Sequence, residues 1–449
     1  MLPFKKIRSK LLNTISIPED LSALITYDPS DEVDPAEAGM TGDGVRKIWS
    51  CVEALYRTGI SPGITFSLRR HGQVVLNRGI GHSHGNGPDD PPGTAKTLIT
   101  PDTPICQYSA SKAVTAMMIH LLAERGEIDL ADPISRYIPE FGAHGKQGTT
   151  IHHIISHHGG IPAPPPGVDP EILFDNDGLI RLICGLKPAS LGGSKIAYHA
   201  VTGGAILGEI VHRVTGATIR EFLRETVQEP LGFRYFGYGV NEADIDKVAV
   251  NYQTGPPLLF PVSAIARRAL SISWGDVVQI ANNPRFLRAI VPAANLVATA
   301  DEMSRFFQMM LNGGELNGVR VFDPQTIRRA VTATDRLWFD ATMVVPMRYS
   351  AGLMLGYDPV GLWGPYTASA YGHIGFINIF CWADPSRQIA VSLQTTGKCL
   401  FGPHLLPLAK LLFAIGRHCR MEMDDFPEPS YRSYMMPLHK MLRKLLIDS

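Results

Sequence analysis

The residues best suited to covalent chemistry lie in Ser109-Ala110-Ser111-Lys112, where a hydroxyl and an amine stand three positions apart at the head of an apolar periodic run. On a helix that spacing puts both groups on one face. A serine hydroxyl is a weak nucleophile until a neighbour takes its proton, and a partly desolvated lysine can do so in its neutral form. The free N–H groups at a helix start would also favour a developing oxyanion. Taken alone, the tetrapeptide is equally a helix N-terminus followed by a surface lysine. A second pattern, Gly81-His82-Ser83-His84-Gly85, spells Gly-x-Ser-x-Gly. That motif works only on a strand-to-helix turn. A strand-like run precedes it, but Asn86 to Gly93 is too rich in Gly, Pro and Asp to start a helix, so Ser83 reads as a decoy. His152, His153, His157 and His158 include an i,i+4 pair that could meet a metal. No His-Glu-x-x-His and no nearby carboxylate completes a ligand set, so helix-face or loop histidines are expected, with no metal and no cofactor. Cys106, three residues before Ser109, reads as a small buried side chain and not as a nucleophile.

Periodicity supplies the elements that must position these groups. Val45, Ile48, Trp49, Val52 and Leu55 share one face of a helix that starts near Thr41. Residues 63–81 hold two β-rich runs around His71-Gly72, a hairpin turn. From Ser109 to Arg125, Val114, Met117, Met118, Leu121 and Leu122 follow a helical repeat that Gly126 ends. Helical patterns recur at 200–215, 218–227, 300–313, 324–331 and 404–417, and strands are expected at 349–356, 376–383 and 387–395. Strands at both ends with helices between imply an α/β domain built from two distant segments, with a helical domain inserted.

The order of several motifs sharpens this. ICQYSASKAVTAMMIHLLAERGEIDLADPISRYIPEF (105–141) resembles the nucleophile segment of the serine β-lactamase and penicillin-binding-protein superfamily, and is most similar to class C β-lactamases and family VIII carboxylesterases. TIHHIISHHGGIP (150–162), AYHAVTGGAILGEIVHRVTG (197–216), EPLGF (229–233), LVATADEMSRFFQMMLNGG (296–314) and YGHIGF (371–376) continue the likeness in order across roughly residues 41–417. The resemblance implies a β-lactamase/transpeptidase-like α/β (α+β) fold, an antiparallel sheet flanked by helices plus the inserted helical domain. It implies Ser109 as nucleophile, with Lys112 and Tyr198 sharing the proton. It also implies the N–H groups of Ser109 and Phe376 as oxyanion hole, and His373-Ile374-Gly375 where many relatives carry Lys-Thr-Gly. His373 would donate to the tyrosine oxygen or to substrate, and Gly375 would let substrate approach the backbone. The family's Tyr-x-Asn stands here as Tyr198-His199-Ala200. The amide that would hold a β-lactam side chain is missing, which suits the esterase branch. Without the resemblance, Tyr198 reads as a core tyrosine and His373 as a histidine beside a turn.

Composition bounds the rest. Across 449 residues, Lys+Arg 42 balances Asp+Glu 42, which lacks the basic footprint of a nucleic-acid binder. Gly 43 and Pro 34 indicate a loop-rich globular chain. The six cysteines, at 51, 106, 184, 381, 399 and 419, form no Cys-x-x-Cys pair and read as dispersed thiols. The start of the chain has no uninterrupted apolar core of a signal peptide, and no 18-residue apolar run occurs, so a cytoplasmic location is expected. Residues 1–40 read as an N-terminal extension, 41–420 as the catalytic body, and 421–449 as a C-terminal extension. Within the body, 41–108 and 335–420 form the α/β part and 109–334 the helical part. FKKIRSKLL near the start and SYMMPLHKMLRKLLIDS (433–449) mix basic and apolar residues, so the termini are candidates for peripheral membrane contact as well as for ordinary terminal helices. The expectation is a serine carboxylesterase acting on a small-molecule ester. The alternatives are a β-lactamase or D-amino-acid peptidase, whose periplasmic substrates fit the expected location poorly, and a catalytically silent scaffold or binding protein.

Overall fold

The computed structural model describes residues 12–161, 163–165, 167–334 and 337–422, and both basic amphipathic terminal segments lie outside them, apart from Leu12. Its centre is an eight-stranded antiparallel sheet. Seven strands form its main path: β1 (Ile25–Thr26), β2 (Gly63–Arg70), β3 (Gln73–His84), β4 (Met354–Leu355), β5 (Tyr371–Gly375), β6 (Ile379–Asp384) and β7 (Ile389–Thr395), with Thr97–Leu98 branching from β3. They lie in the order β1-β3-β2-β7-β6-β5-β4, so the early hairpin meets the late strands in mid-sheet. The β2–β3 turn is His71-Gly72 as read, both residues with positive φ.

Side chains alternate across the sheet. Phe380 and Trp382 of β6, with Val391 and Leu393 of β7, join a core shared with α1 (Gly42–Tyr56), as do Leu408, Leu411 and Ile415 of the last helix. The intervening Ile379, Cys381, Ala383 and Ala390 face a second core. That core is built on α2 (Ser111–Glu124), α3 (Thr202–Thr215) and α4 (Ala300–Leu311), and the last helix, Leu405–His418, is α5. Small residues let α4 approach the sheet closely, the Ser67 and Ser304 hydroxyls meeting at 3.0 Å. α2 is buried on every side from Ser111 to Leu122, so it is the central helix of the second core.

The boundaries differ from expectation in three places. From residue 12 onward the expected extension is part of the body: Ile15, Leu21, Ala38 and Met40 are buried, and β1 pairs with β3. Within it the Glu32 carboxylate accepts from Arg78 Nη2 at 2.6 Å. α4 falls in the stretch assigned to the helical part, yet it packs on the sheet. The strand expected at 376–383 starts only at Ile379, as β6, and forms a hairpin with β5, which ends at Gly375. Phe376 and Ile377, with φ of 36° and 72°, make its turn. Apolar residues in a left-handed turn look like strand in one dimension. None of the helices among the described residues is long and apolar enough to cross a membrane.

Candidate active site

Ser109 is delivered by a short strand and a tight turn. Ile105–Cys106 pairs with Leu296–Ala298, and Gln107 N–H continues the ladder to Leu296 O at 2.8 Å. Tyr108 then takes a positive φ of 47°, and one 3₁₀ turn, Tyr108–Ala110, leads into α2. Ser111, in the middle of the motif, is structural: its hydroxyl donates to Tyr108 O and accepts from Leu296 N–H. Ser109 itself is half-buried and faces a pocket.

Lys112 Nζ lies 3.1 Å from Ser109 Oγ and 2.8 Å from the carbonyl of Ala293. The amine is buried, and burial pushes its pKa down to about 7. Near neutrality a large fraction is therefore neutral and can accept the Ser109 proton. The Tyr198 hydroxyl also faces the Ser109 side chain closely enough to interact with it. Burial raises the phenol well above its ordinary value, while the Ser109 interaction pulls the other way. Lys112 Nζ stands 5.0 Å from the Tyr198 ring centroid, so the amine, hydroxyl and phenol converge on one point.

We expect kcat/KM for a soluble ester to rise with pH through about 7, as Lys112 loses its proton, and then to level off. The same shift bears on stability. The folded value lies below the 10.5 of an exposed lysine, so the stability linked to Lys112 is complete above that pH and lost as pH falls through about 7. A pH–rate profile with circular dichroism at each point separates the two effects. A rate constant that stays flat to pH 5.5 in folded protein would remove neutral Lys112 as base.

Tyr198 is held from behind by a residue the sequence reading missed. Buried Asp340 accepts from Tyr198 N–H at 3.2 Å, from Thr342 and Met343 N–H at 2.8 and 2.9 Å, and from the Tyr349 hydroxyl at 3.0 Å. Three buried imidazoles complete the surround. His157 sits 4.6 Å from the Tyr198 ring, its Nδ1 accepting from His199 N–H at 3.3 Å, and His373 is 6.2 Å from the same ring. Burial pushes His199 and His373 down to about 3, and His157 well below its ordinary value. All three are neutral at physiological pH.

The expected donor role of His373 needs correction. Nδ1 can only donate to the Ile374 carbonyl, 2.7 Å away, which leaves a bare lone pair on buried Nε2. In that form the ring can accept a proton but not donate one. Gly375 also has a different purpose from the one expected: a Cβ there would lie 2.1 Å from Gln107 O. The end of β5 thus packs against the backbone leading to Ser109. This brings Phe376 beside it, and the Phe376 ring stacks on Tyr108 at 5.0 Å and on Trp274 at 4.1 Å. Ser109, Tyr198, Ala200 and Phe376 line the pocket, whereas His373, Ile374 and Gly375 do not.

The other sequence candidates are accounted for. Ser83 is buried within β3, its hydroxyl donating to Thr97 O at 3.3 Å, and it does not line the pocket. Cys106 is fully buried and its thiol pushed up to about 11; all six cysteines are unpaired. His153 caps the helix Ile151–Ile155, and no cluster of three or more metal-ligating side chains occurs among the described residues.

Residues 50–402 match the family model described as Beta-lactamase. The chain belongs to the beta-lactamase family. Within this hydrolase family, the esterase/beta-lactamase LipL of Mycobacterium tuberculosis is 30% identical over 299 residues, 64% of this chain and 67% of that protein. A penicillin-binding-protein homologue from Caulobacter crescentus superposes with a TM-score of 0.71 at 27% identity, covering 83% of this chain and 96% of that one. A family VIII carboxylesterase superposes equally well, TM-score 0.71, at 24% identity over 84% and 98%. The β-lactamase/transpeptidase-like fold is thus established. Against this beta-lactamase-family background, Lys398 is a second residue the sequence reading passed over. It is fully buried, its Nζ 4.9 Å from the Tyr108 ring centroid and donating to Thr395 O, with its pKa pushed down to about 7.

Proposed function

We propose that this protein is a serine carboxylesterase working through an acyl-enzyme on Ser109. The observation that carries the reading is the convergence of Lys112 Nζ, 3.1 Å away, and the Tyr198 hydroxyl on one serine oxygen at the end of an apolar pocket. Neutral Lys112 takes the serine proton as Oγ bonds to the ester carbonyl carbon. The Ser109 and Phe376 N–H groups hold the oxyanion. Tyr198 and Lys112 return the proton to the departing alkoxide, the C–O bond breaks, and water then releases the acid by the same steps. LipL, named as an esterase/beta-lactamase, supports the ester reading.

Ala200 separates this reading from β-lactam hydrolysis. It lines the pocket and offers no donor or acceptor for an amide side chain. A missing neutral hydrogen bond is worth about 0.5–1.5 kcal/mol, and more when a buried partner is left unpaired. We therefore expect kcat/KM for p-nitrophenyl butyrate to exceed that for nitrocefin by far, and Ala200→Asn to narrow the gap by raising β-lactam turnover about tenfold. An enzyme that prefers nitrocefin would belong to the lactamase branch. A folded protein that takes no fluorophosphonate label on Ser109 would be a silent scaffold.

A further inference from the structure

The pocket in front of Ser109 is an open cleft with mostly apolar walls. Its lining includes Ile172, Leu173, Val277, Ile280, Ala281 and Phe286. Beyond Ser109 and Tyr198, the polar side chains among the described lining residues are Tyr108, Asp169 and Ser271. Asp169 accepts from Glu171 N–H at 3.0 Å, and Ser271 donates to Pro164 O at 3.0 Å. The rest of the described wall is apolar, and a hydrocarbon chain fits against it.

The border of this pocket is apolar on the outside too. The helix Val262–Leu270 contributes Ala269 and Leu270 to the wall, yet none of its residues is buried. Leu259 and Phe260, just before it, are 73% and 85% exposed. On the other border, the hairpin Trp338–Asp340 and Val345–Met347 sends Met343 into the pocket and leaves Trp338 and Phe339 57% and 59% exposed. Two separate segments that both touch the pocket thus hold large apolar side chains in water. The first of them is also basic: residues 255–272 carry Arg267 and Arg268, both exposed, and no acidic residue.

We propose that the substrate is a long-chain lipid ester taken from an anionic lipid surface, on which these two segments rest while the acyl chain enters the pocket. This rests on the carboxylesterase reading and adds the substrate class to it. The continuity of rim and pocket favours lipid over a protein partner, because both segments that hold the exposed apolar side chains also line the pocket of Ser109. The arginines match an anionic headgroup layer.

The test uses the full chain. Vesicles of phosphatidylcholine and phosphatidylglycerol, 1:1, should sediment the protein, and Leu259→Asp with Phe260→Asp should lower the bound-to-free ratio about tenfold or more. The ratio of kcat/KM for p-nitrophenyl decanoate to that for the acetate should be well above one, and Ala281→Phe should lower it about tenfold by filling the pocket. Val277→Trp, at a less buried wall position, serves the same purpose should Ala281→Phe not fold. Vesicle binding that ignores the Asp variants, or a chain-length ratio below one, overturns the proposal. So does a solution dimer split by Leu259→Asp and Phe260→Asp without vesicle binding, which would give the face to a second copy. In each of these cases fluorophosphonate labelling of Ser109 still stands for the esterase reading. Loss of that label in folded wild-type protein overturns both.

Discussion

Ser109→Ala is expected to lower kcat for ester hydrolysis by about 10⁴–10⁶, whereas Ser83→Ala keeps most of it. The size of the first effect follows from the unit it removes. Lys112 and Tyr198 both turn toward this one hydroxyl. With the oxygen gone, the acyl group has no acceptor and the shuttle has no proton to move. Ser83 satisfies the Gly-x-Ser-x-Gly pattern but is buried in a strand and bonded to Thr97 O. Steady-state assays with p-nitrophenyl butyrate, beside labelling by a fluorophosphonate, decide it. An active, labelled Ser109→Ala protein would overturn the site assignment.

Lys112→Ala and Tyr198→Phe should each lower kcat by about 10²–10⁴, the usual worth of positioned acid–base help. The double variant should be little worse than the more damaging single one, since groups acting as a unit do not add. The geometry supports a division of labour. Lys112 is the group whose proton affinity lies near neutral pH, while the Tyr198 phenol stays protonated. In the proposed mechanism lysine is the base that stores the proton, and tyrosine the bridge that passes it. Multiplicative losses in the double variant would mean two independent functions.

The Ser109–Lys112 pair was legible because its geometry is local. A three-residue spacing on one helix brings the amine to the hydroxyl whatever the rest of the chain does, and the structure places them 3.1 Å apart. α1, α4 and α5 were legible for the same reason, through periodicity. What failed was long-range or left-handed. Asp340 looks like one carboxylate in an apolar hairpin, and only folding brings it to the Tyr198 backbone, 142 residues away. Phe376 and Ile377 look like strand because their side chains are apolar, although their backbone turns. Lys398 carries no local sign of burial, and the ring it packs against, Tyr108, lies nearly 300 positions earlier. His373 was found by its place beside Gly375, but its role as donor depended on a tautomer set by the Ile374 carbonyl.

The mid-sheet junction has a consequence for how the chain is made. β2 pairs with β7 along its length, and Gly63 N–H donates to the Thr396 hydroxyl across 333 positions. The β2–β3 hairpin leaves the ribosome before β7, with one edge of β2 bare. That edge is closed only after β7 has been synthesised. Until then a strand edge is open to other chains. Late closure of so long a loop also makes folding slow compared with a helical bundle of similar stability. The same junction that unites the two segments therefore makes biosynthesis the interval in which this protein is most exposed to aggregation.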